Sequence, residues 1–398
     1  MRKLILFGAG ILLASCARGG VAPLPATQTA QAFAPLIQPA ADPSYRLLYS
    51  FKDGNDGGYP FAGLTSLNGE LYGTTYGGGG PSGWGTVFKV GPTGGEKVIY
   101  KFKAGNDGAH PYGNLIALDG TLYGTTYQGG TGGGYGTVFK VTPAGEEHVL
   151  YSFNDGADGG YPYGSLVALG GMLYGTTYQG GTANGWGTVF KVSTSGDEHT
   201  LHKFAAGDDG AHPYAGLIVF KGALYGTTSE GGGPKGSGCL FKVSPAGDEH
   251  VVYGFKGGSS DGQYPYGPLA ELNGAFFGTT YQGGISPGWG IVFKVTPAGK
   301  ESVLHRFKSG DDGAHPYFGA LKPVGGTLYG TTYQGGASGW GTVYSVTTSG
   351  SEHVLYGFKG GTDGGYPYDG LAELDGTLYG TTYEGGAKGF GTVFKLSP

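Results

Sequence analysis

The sequence predicts an all-β chain, a seven-bladed β-propeller of four-stranded blades, and three observations carry that expectation. The tripeptide Gly-Thr-Thr starts at Gly73, Gly124, Gly175, Gly226, Gly278, Gly330 and Gly380. It recurs about every 51 residues, the length of one four-stranded blade. No stretch between the copies sustains helical spacing. The phase of the repeat is the third observation. The repeat region opens at Tyr45 to Phe51, which matches the fourth strand of a unit, and closes at Gly391 to Leu396, which matches the third. The last unit therefore lacks a fourth strand, and the leading segment can supply it. Closing a ring this way removes the exposed edge of an open β array.

Each element can be read from the second unit. Leu115 to Leu118 is a short apolar strand a, and Asp119-Gly120 is a two-residue turn into strand b, Thr121 to Tyr127. The equivalent turns are Asn68-Gly69, Gly170-Gly171, Lys221-Gly222, Asn273-Gly274, Gly325-Gly326 and Asp375-Gly376. Most have the Asn-Gly, Asp-Gly or Gly-Gly composition that supplies positive φ in a tight hairpin. Strand c runs Gly136 to Val141, a Thr-Pro-Ala-Gly turn follows, and strand d runs His148 to Phe153. Both are rich in β-branched and aromatic residues. Alternation along strand b puts Tyr123 and Tyr127 on one face, and Gly124 is expected to let the adjacent sheet approach.

Composition limits the function classes. The chain has 89 glycines and 22 prolines among 398 residues, and their fixed offsets speak for repeats rather than low complexity. Charged residues make up 13% and the formal net charge is −5, so nucleic acid has no basic footprint to bind. The N-terminus reads as a targeting segment. Arg2 and Lys3 precede an apolar stretch from Leu4 to Leu13, which is too short to span a bilayer. It ends in Leu13-Ala14-Ser15-Cys16, which resembles a bacterial lipobox. That resemblance implies a signal peptide over 1–15 and a lipidated Cys16, and two or three acyl chains hold a protein stably on a membrane. Ala17, in place of aspartate, favours the outer membrane in Gram-negative cells. Residues 16–44 read as the lipidated cysteine and a flexible Ala/Pro-rich tether, and 45–398 as the propeller. Cys239 has no disulfide partner once Cys16 is acylated. It replaces the threonine that opens strand c, which suggests a buried small hydrophobe.

Candidate binding residues lie in the d–a and b–c connections, which emerge on one face. The d–a loops carry an aspartate (Asp56, Asp107, Asp158, Asp209, Asp261, Asp312, Asp363), read as a turn residue bonding the backbone two residues on. A proline-aromatic pair follows, with Tyr112, Tyr163, Tyr214, Tyr317 and Tyr368 as candidate contacts. The residue before proline alternates between tyrosine and histidine: Tyr59, His110, Tyr161, His212, Tyr264, His315, Tyr366. The b–c loops end in an aromatic: Trp84, Tyr135, Trp186, Trp289, Trp340 and Phe390. These rings could stack on a glycan or peptide or wedge neighbouring blades apart. Blade four has Ser229 and Ser237 in aromatic slots, either a docking notch or drift. No metal set, cofactor motif, nucleophile elbow or P-loop stands out. The three pre-proline histidines lie on alternate blades, too widely spaced to share an ion.

The units Leu-Tyr-Gly-Thr-Thr-Tyr, Gly-Trp-Gly-Thr-Val-Phe-Lys-Val and Asp-Gly-x-x-Pro-Tyr resemble the GloVer tandem repeat, the "choice-of-anchor" family, over residues 45–398. The resemblance implies an extracytoplasmic propeller, with the lipobox as this member's anchor, and carries no active-site residues. Kelch repeats are an architectural analogy only. The leading expectation is a membrane-anchored binding or scaffolding module for a protein or glycan of the bacterial envelope. Its alternatives are a carbohydrate-active or lyase-type enzyme at the channel mouth and a purely structural envelope protein.

Overall fold

The computed structural model describes residues 45–398; Cys16, the leader and the tether lie outside them. The described chain forms seven four-stranded antiparallel sheets, each ordered a-b-c-d. In blade two these strands are Ile116–Leu118, Thr121–Gln128, Thr137–Val141 and Glu147–Ser152. Strand a of blade one, Thr65–Leu67, touches strand a of blade two and also that of blade seven, Ala372–Leu374, so the innermost strands run round an axis.

The ring closes as its phase predicts. Strand d of blade seven is Tyr45–Ser50, paired antiparallel with strand c, Thr392–Leu396. Tyr45 sits opposite Leu396, Leu47 opposite Phe394 and Ser50 opposite Thr392. The pairing slips between Leu47 and Tyr49, at the place where blade two slips between Val149 and Tyr151. The closing strand is therefore an ordinary member of the repeat.

Local chemistry explains the conserved-looking units within the chain. At the a–b hairpins both turn residues have positive φ, as at Asp119 (50°) and Gly120 (76°). Lys221 adopts the same geometry at 50° with no special aptitude for it. In Gly-Thr-Thr the three residues do three jobs. A Cβ on Gly124 would lie 2.8 Å from Phe139 and 2.9 Å from Leu115. The glycine therefore makes room for a ring of its own sheet; the expectation that it admits the neighbouring sheet is corrected. Thr125 donates to the Gly164 carbonyl of the next blade at 3.2 Å, and Thr381 donates to Ala62 across the closure at 2.8 Å. Thr126 and Thr137 share a 2.8 Å hydroxyl contact that ties b to c. In blade four the contact is Thr228 to Cys239, at 3.1 Å. Cys239 is fully buried, and burial pushes its thiol up to about 12.

The core lies between blades. The phenylalanine that ends each strand d packs edge-on against the strand-c ring of the next blade. Phe153 meets Phe190 at 5.1 Å and 66°, and Phe51 meets Phe88 at 5.1 Å and 70°. Each buried ring contributes about 1.5–3 kcal/mol by burial alone. Among the described residues no helix is long and apolar enough to cross a membrane.

Candidate functional site

The d–a loops set the geometry of the candidate face. Each begins with the aspartate, which reaches back along the chain, where the sequence reading had it bond forwards. Asp107 accepts the Lys103 N–H at 2.6 Å and the Tyr100 hydroxyl; Asp158 accepts the Asn154 N–H at 3.0 Å and the Tyr151 hydroxyl at 2.9 Å. The carboxylate so anchors the loop to strand d. The residue before proline then takes a left-handed conformation at all seven junctions, with φ from 52° at His315 to 58° at Tyr59 and Tyr264. A residue preceding proline is ordinarily pushed to extended backbone, so this bend is strained. It persists because the N–H is spent on the preceding blade: His110 N–H donates to Trp84 O at 2.8 Å, and Tyr366 N–H to Trp340 O at 2.8 Å. His110 Nδ1 also lies 2.8 Å from the Tyr76 carbonyl. Burial holds His110 and His315 below the ordinary histidine value.

This bend throws the next aromatic toward the axis. Phe61, Tyr112, Tyr163, Tyr214, Tyr266, Tyr317 and Tyr368 form a closed ring of side chains, with successive centroids 4.5 to 5.1 Å apart. Five were candidates from sequence; Phe61 and Tyr266 complete the circle. Phe318 fills the middle, 5.4 Å from Tyr112, 5.5 Å from Tyr214 and 5.6 Å from Tyr368. The channel mouth is therefore an aromatic plug.

Beneath it lie unlike polar residues that the sequence reading missed. Asp369 is buried, and its carboxylate takes the Gly370 N–H at 2.5 Å, with further bonds from Gly63, Ala320 and Asn114. Burial outweighs these donors and raises the group to about 6. The Asn114 N–H donates to Ser165 Oγ at 2.9 Å. The cavity here, bounded by Tyr112, Tyr163, Tyr214, Phe318 and Asp369, measures about 10 Å³. That is room for about one water, so this arrangement offers no substrate-sized pocket. The signal in the sequence was the pair of residues after each proline-aromatic unit, which differs from blade to blade, and the added Phe318.

The b–c aromatics lie further out and are not brought together. Trp84, Trp186 and Trp289 each pack edge-on against the pre-proline histidine of their own junction, at 5.2, 5.2 and 5.1 Å. Tyr135 and Phe390 do the same against Tyr161 and Tyr59, at 5.5 and 5.4 Å, and Trp340 packs at a 48° tilt against Tyr366, at 4.8 Å. All six are half-buried wedges with one edge in solvent. Blade four is no open notch. Ser229 and Ser237 are buried, and the next d–a loop, one residue longer than its neighbours, brings Gly257 against the Ser237 hydroxyl. The concave feature is one junction earlier. A groove of about 340 Å³ runs between Trp186, the loop at Gly207 and Asp208, and Glu230 to Gly236 of the blade-four b–c loop.

A further carboxylate recurs at the outer edge of the junctions. The glutamate that opens strand d of one blade faces the loop aspartate of the preceding junction, as Glu96 faces Asp56 and Glu147 faces Asp107. Burial first, then the neighbouring carboxylate, raises Glu96 to about 8 and Glu147 to about 7.

The repeat itself decides the relationship. A model of the Gloeobacter/Verrucomicrobia repeat matches residues 36–233, 79–287 and 271–398, which span the propeller. The chain belongs to the Gloeobacter/Verrucomicrobia repeat family. No curated protein matches it in sequence. Among solved structures, this family member is similar to a gluconolactonase from Xanthomonas campestris (TM-score 0.40, 13% identity, covering 66% of this chain and 79% of that one). It is also similar to PorZ, a surface component of the type-IX secretion system of Porphyromonas gingivalis (TM-score 0.49, 14% identity). That match covers 87% of this chain and 46% of PorZ, so the chain spans under half of PorZ's length. Neither likeness bears on substrate or partner.

Proposed function

We propose that this repeat protein is a lipid-anchored, extracytoplasmic binding module that holds a glycan of the cell envelope on its d–a/b–c face. The observation that carries this reading is the groove beside Trp186. An indole edge in solvent, two exposed carboxylates at Asp208 and Glu230, and a floor of glycine backbone line one concavity. A sugar presents apolar C–H faces and outward hydroxyls, so an aromatic flank with nearby acceptors suits it. Its volume falls within the range of small-molecule sites. The ring scaffold supports the reading further, because the d–a loop that lines the groove is tied to the blade on either side. His212 N–H reaches Trp186 O of blade three at 2.8 Å, and Ala211 N–H reaches Glu230 O of blade four at 2.8 Å. The lipobox-like Leu13-Ala14-Ser15-Cys16 supports the membrane anchor of this reading, with 16–44 as its tether.

The test is a glycan array on the full-length chain. Glycans retained by the wild type should be lost on Trp186→Ala, with the circular-dichroism spectrum and unfolding midpoint close to wild type. Retention of the same glycans by Trp186→Ala would overturn the assignment of the groove.

A further inference from the structure

Two of the seven blade junctions differ from the others in chemistry at their outer edge. At five junctions the residue of strand d that meets the loop aspartate is a tyrosine: Tyr49, Tyr100, Tyr151, Tyr253 and Tyr356. Its hydroxyl donates to Asp56, Asp107, Asp158, Asp261 or Asp363, so the phenol proton occupies the space between the oxygens. At the remaining two, histidine takes this place. His202 Nε2 lies 3.0 and 3.3 Å from the two oxygens of Asp209, and His305 Nε2 lies 3.0 and 3.3 Å from those of Asp312. The glutamate of the following blade completes each group, Glu249 in the first and Glu352 in the second.

We propose that His202–Asp209–Glu249 and His305–Asp312–Glu352 are two binding sites for a divalent first-row transition-metal ion, each joining the outer edges of adjacent blades. In both groups the nitrogen and carboxylate ligand atoms lie within 4.8 Å of one another. Ligand atoms at about 2.0–2.2 Å from such an ion are themselves about 3–4 Å apart, so small side-chain shifts close the site. Around a bound ion, an imidazole and two deprotonated carboxylates would supply a charge of minus two, which matches a dication, and this donor set suits zinc, manganese or iron(II). The ligands are already oriented by their surroundings. Asp209 takes the Ala205 N–H at 2.7 Å on one oxygen, and Asp312 takes the Lys308 N–H at 2.7 Å. Oriented second-layer contacts of this kind are what fix a metal ligand. Oε1 of Glu249 and of Glu352 is buried without a hydrogen-bond donor. The same oxygen is orphaned in Glu96, Glu147 and Glu301, but there a phenol, a poor ligand while protonated, stands where the imidazole would be. The site also has a structural logic. Cys239 is a free cysteine, so among the described residues no disulfide staples one blade to the next. A metal bridging strand d of one blade to strand d of the next would supply that cross-link.

The sequence alone supplies the control variant. Tyrosine is the residue that five junctions already use, so His202→Tyr and His305→Tyr should fold as the wild type does. Zinc binding to the full-length chain is measured by isothermal titration calorimetry, and cobalt(II) by its visible absorption. The wild type should take up two ions, each single variant one, and the double variant none; added zinc should raise the thermal midpoint of the wild type alone. Equal uptake by the double variant would assign the ions to exposed histidines such as His148 and His250 and overturn the proposal, as would no uptake by the wild type.

Discussion

Removing the phenylalanine that ends a strand d tests the closed ring directly, because one of the seven such residues lies on the closing strand. Phe51 and Phe153 are both fully buried, and each packs edge-on against a strand-c ring at 5.1 Å. Phe153 bridges blades two and three, which are continuous in sequence. Phe51 bridges blades seven and one, which lie at opposite ends of the repeat region, and it follows directly on the segment from Tyr45 that completes the last sheet. Phe→Ala in a packed core costs about 3–5 kcal/mol, as burial and the cavity left behind add. The edge-on pair accounts for about 0.5–1.5 kcal/mol of that. Phe51→Ala and Phe153→Ala should therefore lower unfolding stability alike, each by about 3–5 kcal/mol. The assay is urea unfolding of the full-length chain, followed by tryptophan fluorescence and circular dichroism. In an open array the first strand would fray at almost no cost, since chain ends open locally before the whole unfolds. A loss below about 1 kcal/mol for Phe51→Ala, beside a full loss for Phe153→Ala, would refute the closure.

Two further outcomes follow from the junctions and turns. Glu96, Glu147, Glu198 and Glu301 are raised to about 8, 7, 7 and 7 from an ordinary 4.5, chiefly by burial. The folded state then holds protons that the unfolded state releases above the ordinary value. Their stabilisation is present in full below pH 4.5 and is lost as pH rises through 7 to 8. Urea midpoints should fall between pH 5.5 and pH 8.5, a fall that Glu96→Gln reduces; a midpoint that climbs over this interval contradicts the burial of these carboxyl groups. At the blade-four hairpin, Lys221 holds φ at 50° where all six of the other turns use Gly, Asn or Asp in the same slot with similar φ. Lys221→Gly should raise stability by about 0.5–1 kcal/mol through relief of the left-handed strain. The loss of the Lys221 ammonium 5.0 Å from the Phe220 ring offsets a part of this, and a lowered thermal midpoint would count against strain at the turn.

What could be read from the residues was everything that repeats. Hairpin positions, strand order, blade number and the phase that closes the ring are local chemistry recurring at a fixed period, and a period survives without any knowledge of which segments touch. The strand boundaries of blade two differ from expectation by about a residue, since ends are set by where pairing stops. The aromatics were legible as residues, but their division was not. Ring closure sends Tyr112, Tyr163, Tyr214, Tyr317 and Tyr368 to the axis, with Phe61 and Tyr266, and leaves Trp84, Tyr135, Trp186, Trp289, Trp340 and Phe390 as separate outer wedges. Asp369, Asn114 and Ser165 lie on blades seven, two and three and meet only beneath the plug. His202 and Glu249 stand 47 positions apart, on different strands, and share a site only because consecutive blades pack edge to edge. Period-sized patterns belong to a single unit and are written within it. Contacts across the axis or between blades depend on how the units are turned against one another, and that rotation is decided by packing.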